Sequence, residues 1–143
     1  VFEHPAQGER YKAERPATTA DEVVRFGTPV QMFQRTAMGD AEIGGQAILR
    51  GQRVGLLYGS ANYDDSVFDR PNSFDILRDP NPHVGFGGGG VHYCPGSHLA
   101  KLEIKLMFDA IADHVPDIAP TGPQRRLRSG WLNGIKEMPV AYR

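Results

Sequence analysis

Apolar and polar positions change period several times along the chain, and each change marks a predicted element. Residues 18–26 read as a short helix, with Thr18 or Thr19 as N-cap and Asp21 and Glu22 in the first turn. Residues 30–37 alternate like a strand, and shorter strand-like segments follow at 41–43, 47–49 and 54–58. Gly44-Gly45 and Arg50-Gly51-Gln52 supply the turns between them. From 97 to 114, Leu99, Leu102, Leu106 and Ala110 form one face, while Ile104, Met107, Phe108 and Ile111 form a second. So broad an apolar arc predicts a helix buried on most sides. In the tail, Asn133-Gly134 is a hairpin signal with apolar flanks. Residues 2–12, from Phe2 to Lys12, read as the end of a preceding helical region. The expected class is mainly α with small β-sheets, an α+β arrangement.

The chemistry is concentrated in one loop. The only cysteine, Cys94, closes the stretch Phe86-Gly87-Gly88-Gly89-Gly90-Val91-His92-Tyr93-Cys94-Pro95-Gly96, directly ahead of the long helical pattern. Four consecutive glycines allow backbone conformations closed to other residues and let the chain lie flat against a bulky planar ligand. Pro95 suits the first turn of the following helix. A sulfur at a helix N-terminus meets free N–H groups and the positive end of the dipole, which favour thiolate over thiol. A lone thiolate builds neither a zinc nor an iron–sulfur site, each of which draws on several protein ligands. Haem iron needs one proximal protein ligand, and cysteine is among the known choices. The alternative is a buried cysteine beside a flexible turn; the loop weighs against it.

This loop resembles the haem-binding signature of the cytochrome P-450 family, in which Phe, several glycines and a basic residue precede the axial Cys. In that resemblance His92 fills the basic position, Gly90 the required glycine, Cys94 the iron ligand and Gly96 the closing glycine. Phe86 stands eight residues before Cys94, with Gly87 at the usual position of Phe, a variant like that of some bacterial sterol and lipid hydroxylases. Other motifs follow in the family's order. Glu22 and Arg25 resemble its Glu-x-x-Arg pair, and Arg78 in Phe74-Asp75-Ile76-Leu77-Arg78 resembles the second arginine of a buried structural cluster. Tyr58 to Asp65 is similar to its short helix and turn, with Tyr63 in place of a common arginine. His83 matches a recurrent family histidine without an assigned haem contact.

The resemblance implies haem b (iron protoporphyrin IX) as cofactor, with Arg35, Phe86, Gly87, His92, Cys94 and Gly96 binding it and Cys94 as metal ligand. Arg35 and His92 would meet the propionates, carboxylates that prefer charge-assisted donors; by spacing alone Arg35 is an exposed strand arginine. Gln31, Met32, Phe33, Trp131 and Leu132 become substrate-pocket residues, the last two by similarity to the C-terminal hairpin of actinobacterial steroid side-chain hydroxylases. Core packing of the Trp131 indole stands beside that reading. The implied activity is C–H hydroxylation with O2 on a small hydrophobic substrate, steroid or lipid-like, with electrons from ferredoxin and an NAD(P)H-dependent ferredoxin reductase. Lys101 and Lys105, four apart, are either part of a basic face for an acidic ferredoxin or simply solvated.

Residues 1–143 match only the C-terminal third or so of the family's fold, and no segment resembles its long distal helix with an acidic-alcohol pair. No catalytic residue is therefore expected within these residues. Alone they are expected to be inactive and to expose apolar surface. A truncated haem-binding protein without turnover and a non-functional gene fragment are the alternatives. Composition agrees with one globular domain: 40% hydrophobic and 23% charged residues, with no repeats. A net charge of −1 argues against nucleic acid, despite Arg125, Arg126 and Arg128. Without a bilayer-length apolar run or a signal peptide, no membrane anchor and a cytoplasmic setting are expected.

Overall fold

A computed structural model describes residues 3–143. Helix α1 (Pro5–Glu14) starts with proline, whose missing N–H is no loss in a first turn, and ends at Arg15 in the left-handed conformation. Its existence agrees with the helical reading of residues 2–12; Phe2 itself lies outside the described residues. Helix α2 (Thr19–Gly27) has Thr18 at its N-cap position, but the Thr18 hydroxyl donates to the Ile76 carbonyl at 2.5 Å and accepts no N–H of the helix.

Strands β1 (Met32–Thr36), β2 (Ala41–Ile43), β3 (Gln46–Ile48) and β4 (Arg53–Leu57) follow. They make two separate antiparallel pairs, β1 with β4 and β2 with β3. Ile43 pairs with Gln46, so Gly44 and Gly45 are the whole connection, and both have positive φ (59° and 79°), as a two-residue hairpin turn of this hand requires. Helix α3 (Tyr58–Asn62) leads into an irregular stretch that ends only at helix α4 (Ser97–His114). Short strands β5 (Ala119–Pro120), β6 (Arg125–Arg126), β7 (Ile135–Glu137) and β8 (Val140–Ala141) pair as β5 with β8 and β6 with β7. The class is mainly α with small antiparallel sheets, as expected.

Tyr11, Phe74 and Ile76 form the buried apolar centre, with Val23, Phe26, Phe108 and Ala112 packed against it. One predicted feature is corrected here. Helix α4 is not buried on most sides: Leu99, Leu102, Leu106 and Met107 are 51–61% exposed. Its Ile104, Phe108, Ile111 and Ala112 positions are partly covered, because α1 and α2 pack on that side alone. The other apolar face has no cover among the described residues. Pro95 is likewise not in the first turn of α4, which is capped by Gly96 and begins at Ser97.

Asp109 ties α4 to α1. It accepts hydrogen bonds from Lys105 (2.5 Å), Tyr11 (2.9 Å) and Arg15 (3.0 Å), and these hold its carboxyl at about 2. The unfolded value is about 3.9. A folded-state value below the unfolded one means stabilisation that is complete at neutral pH and disappears as pH falls from about 4 toward 2. Burial, then the bond to Asp109, pushes Tyr11 up to about 12, so its contribution is lost as pH rises from about 10 toward that value. Asp109→Asn is expected to flatten the acid limb of an unfolding-versus-pH curve; an unaltered acid limb would contradict this assignment.

Candidate haem-thiolate site

Three segments converge on the cysteine loop, and a buried polar cluster holds two of them. Glu22 and Arg25, one turn apart on α2, are both fully buried. Arg25 Nε donates to Glu22 Oε2 and Arg25 Nη2 to Glu22 Oε1, each at 2.8 Å. Arg78 Nε reaches Glu22 Oε2 at 3.2 Å. The cluster extends beyond the three residues named from sequence. Asn81 Nδ2 and the Asp75 N–H also donate to Glu22, at 3.1 and 2.9 Å. The remaining Arg25 donors reach the carbonyls of Asn62, Pro71 and Ser73. Asn62, also fully buried, accepts from the Val84 N–H at 2.8 Å and donates to the Thr28 hydroxyl at 3.1 Å. The irregular stretch before the loop thus spends its backbone polar groups on Arg25, Arg78 and Asn62 where a helix or strand would spend them internally.

A second polar group leads from α2 to the loop. His83, its side chain 5% exposed, faces Asp21 through Nε2 at 2.9 Å, while its Nδ1 accepts the Gly85 N–H at 3.1 Å. That acceptance places the ring proton on Nε2. Lys101 of α4 reaches the same Asp21 oxygen at 2.6 Å. Burial opposes ionisation of Asp21, but hydrogen bonds from Lys101 and His83 outweigh it and hold the carboxyl below its usual range. Lys101 is therefore paired with Asp21, and Lys105 with Asp109, while both side chains stay partly exposed to solvent.

In the loop, the Cys94 N–H donates to the Phe86 carbonyl at 2.9 Å, closing the glycine run into a ring. Gly87, Gly89 and Gly90 have positive φ (100°, 94° and 78°), which other residues adopt only with strain. A Cβ at Gly89 or Gly90 would meet no atom within 4 Å, so these glycines serve conformation while the loop faces open space. Residues 88–93 are exposed, and Cys94 is half-buried. The Cys94 carbonyl accepts the Ser97 N–H at 3.2 Å, setting the sulfur's residue just ahead of α4. Phe86 packs between His83 and Lys101, each 5.8 Å from its ring centre. His92 is exposed without a side-chain partner among the described residues.

Gly85 was not singled out by its sequence context, since nothing marks it apart from the glycines that follow. A Cβ there would lie 2.4 Å from Val24 Cγ1 and 3.2 Å from His83 Nδ1. Gly85→Ala is expected to cost about 1–3 kcal/mol through overpacking. Thermal unfolding measures it, and an unchanged midpoint would show that the loop and α2 are not seated this closely.

Arg35 lies on β1 with its guanidinium 5.8 Å from the Phe33 ring and an Nη1 donation to the Gln34 carbonyl. No carboxylate pairs with it among the described residues. Phe33 and Trp131 meet edge to face at 6.1 Å, beside Tyr58 at 5.8 Å from Phe33. Trp131 is 53% exposed among the described residues. Met32 points to the other face of β1. There Gln31, Met32, Leu57 and Asn133 line an open cleft of about 390 Å³. Leu132 is partly buried in a bridge to Val30.

The donor set suits haem iron. Among the described residues no three His, Cys, Asp or Glu side chains gather as a metal site, leaving Cys94 as a single cysteine in a glycine-rich loop. No helix of the described residues is long and apolar enough to cross a membrane.

Comparison with known proteins agrees with this reading. Residues 17–114 match the family description Cytochrome P-450. The chain is 63% identical over 142 residues to a steroid C26-monooxygenase of Rhodococcus jostii, covering 99% of this chain and 30% of that protein. It is 44% identical over 125 residues to a methyl-branched lipid omega-hydroxylase of Mycobacterium tuberculosis, covering 87% and 29%. Among solved structures, a P-450 in complex with an acyl carrier protein ligated to hexadec-9Z-enoic acid superposes with a TM-score of 0.94 at 34% identity, over 99% of this chain and 37% of that one. A Bacillus megaterium P-450 in complex with testosterone gives 0.92 at 33%, over 97% and 39%. The chain spans about 30% of the length of the curated relatives it matches. With its Glu-x-x-Arg cluster, its cysteine loop and these relatives, the chain belongs to the cytochrome P-450 family.

Proposed function

We propose that residues 1–143 form the haem-proximal part of a haem-thiolate monooxygenase acting on a steroid or lipid-like substrate. The observation that carries the proposal is Cys94, a lone cysteine held by a glycine-ringed loop ahead of α4. The printed activities of the relatives, on steroids and methyl-branched lipids, support the substrate class.

Within that reading, haem b bound through Cys94 supplies activation of O2 and insertion of one oxygen atom into an unactivated C–H bond. The protein's own residues hold and orient. Cys94 offers a thiolate, and Pro95, having no N–H, adds no donor that would draw charge from the sulfur. Arg35 and His92, both without carboxylate partners among the described residues, offer cations or donors to propionates. Phe86 and Gly87 fix the loop, and Gly96 caps the helix that follows. Phe33, Trp131 and Leu132 present apolar surface to the substrate, and Gln31 and Met32 line the separate cleft described above.

Electrons come from ferredoxin and an NAD(P)H-dependent ferredoxin reductase. Lys101 and Lys105, each partly exposed beside a carboxylate, share their charge between that partner and any docking face for an acidic ferredoxin. The setting is cytoplasmic. These residues alone bind no substrate productively, since the Leu99, Leu102 and Leu106 face and the Phe33–Trp131 patch stand open to water.

Incubation of the haem-loaded protein carrying these residues with a side-chain-bearing sterol, ferredoxin, its reductase, NAD(P)H and labelled O2 tests the proposal. One labelled oxygen in a hydroxylated product is expected. A thiolate-type spectrum with no product from any sterol or branched lipid would overturn the substrate class, and absence of that spectrum would overturn the function.

A further inference from the structure

The Asn133-Gly134 pair carries the hairpin signal in the sequence, yet it does not form the turn. Strand β6 pairs with β7 at Arg125↔Glu137 and Arg126↔Ile135, and the Leu127 N–H donates to the Gly134 carbonyl at 2.9 Å. The chain reverses earlier, at Ser129-Gly130, where the Ser129 hydroxyl accepts the N–H groups of Trp131 (3.1 Å) and Leu132 (3.0 Å). Asn133 stands on the returning arm.

Every polar group that it can aim sideways is used. Its N–H donates to the Pro29 carbonyl at 2.8 Å, and its Nδ2 donates to the Gly27 carbonyl at 2.7 Å. Its Oδ1 accepts from Arg126 on the outgoing arm. Asn133 therefore joins both arms of the hairpin to the end of α2. The neighbouring main-chain contacts continue the seam: the Gln31 N–H donates to the Trp131 carbonyl at 2.9 Å, and Val30 bridges Leu132. The end of α2 is itself fixed. Thr28 takes a left-handed conformation (φ 35°), with its hydroxyl donating to the Arg25 carbonyl at 2.7 Å and accepting from Asn62. A rigid buried cluster thus stands behind one end of the clamp and two apolar side chains, Trp131 and Leu132, behind the other.

We infer that Asn133 is a specificity-determining positioning residue, which seats the hairpin tip on the end of α2 and thereby fixes the spacing between Trp131 and Phe33. It touches no substrate in this role. It sets how the two aromatic rings, in edge-to-face contact at 6.1 Å, share one apolar surface, and so which elongated apolar substrate that surface fits. The inference rests on the proposed monooxygenase function.

Two variants separate positioning from folding. Asn133→Ala removes both side-chain bonds; Asn133→Asp keeps an acceptor for Arg126 but removes the donor to Gly27. In the haem-loaded protein carrying these residues, both are expected to weaken binding of a side-chain-bearing sterol, read from the absorbance shift, by about tenfold, the effect of roughly 1.4 kcal/mol. Affinity for imidazole, a small direct iron ligand that needs no hairpin, is expected to stay as in the parent. Amide hydrogen exchange is expected to rise in residues 127–134 and not in residues 97–114. Sterol affinity unchanged in either variant would overturn the inference. So would an equal loss for sterol and imidazole with a lowered melting temperature, the mark of a merely structural residue. A parent protein with a thiolate spectrum but no sterol shift would instead remove the substrate reading on which the inference rests, and the inference with it.

Discussion

Glu22→Ala is expected to destabilise the protein by about 3–5 kcal/mol, the cost of breaking a buried ion pair from one side. Against a whole-domain stability of roughly 5–15 kcal/mol, that unfolds much of the population at growth temperature. Five donations converge on the Glu22 carboxylate: two from Arg25 and one each from Arg78, Asn81 and the Asp75 N–H. Removing their common acceptor leaves a fully buried Arg25 without its counter-charge. Replacing both partners of a buried pair by apolar residues often restores stability elsewhere. Here it is expected to fail. Arg25 also caps the carbonyls of Asn62, Pro71 and Ser73, and an apolar residue in its place strands those acceptors, each at a cost of about 1–3 kcal/mol. Urea unfolding of Glu22→Ala, Arg25→Met and the Glu22→Leu/Arg25→Met double variant measures this. A double variant as stable as the parent would mean that those three carbonyl contacts contribute nothing.

The same cluster marks how far the sequence could be read. Glu22 and Arg25 sit three apart on a predictable helix, a spacing shared with countless surface pairs; only their order relative to the cysteine loop distinguished them. The contacts of Arg25 with Asn62, Pro71 and Ser73 were invisible because they use main-chain oxygens, which every residue has. Asn133 was legible as a residue type and misread as a turn, since an Asn-Gly pair between apolar residues looks the same whether it turns the chain or clamps it. The elements themselves were mostly plain, because period-two and helical patterns depend on local geometry. Their burial was not. Leu99, Leu102 and Leu106 form a helix face that composition assigns to a core, while its exposure depends on what packs against it. Thr28 shows the limit at the backbone level: it follows a glycine that would take the left-handed turn without strain, yet the threonine takes it, held by bonds to Arg25 and Asn62.

Cys94→Ala is expected to abolish the red-shifted, thiolate-type Soret band of the reduced, carbon-monoxide-bound protein while leaving the apo fold close to the parent. The two halves of that expectation have separate physical grounds. In the fold, Cys94 contributes its main chain: its N–H bonds to the Phe86 carbonyl and its C=O accepts the Ser97 N–H. Alanine retains both, and the half-buried sulfur fills no part of the Tyr11–Phe74–Ile76 core. A loss of about 1 kcal/mol or less is therefore expected in the apo protein, within the range of substitutions outside a core. In the site, no other described residue offers a thiol. His92 is two positions away on an exposed part of the loop, and the described residues gather no alternative set of metal-ligating side chains. The spectrum thus reads ligation alone, provided that apo melting is recorded beside it. A thiolate-type band in the alanine variant would overturn Cys94 as the ligand. A variant that fails to fold without haem would instead show that the Cys94 side chain, and not only its main chain, holds the loop to α4, contrary to the geometry described above.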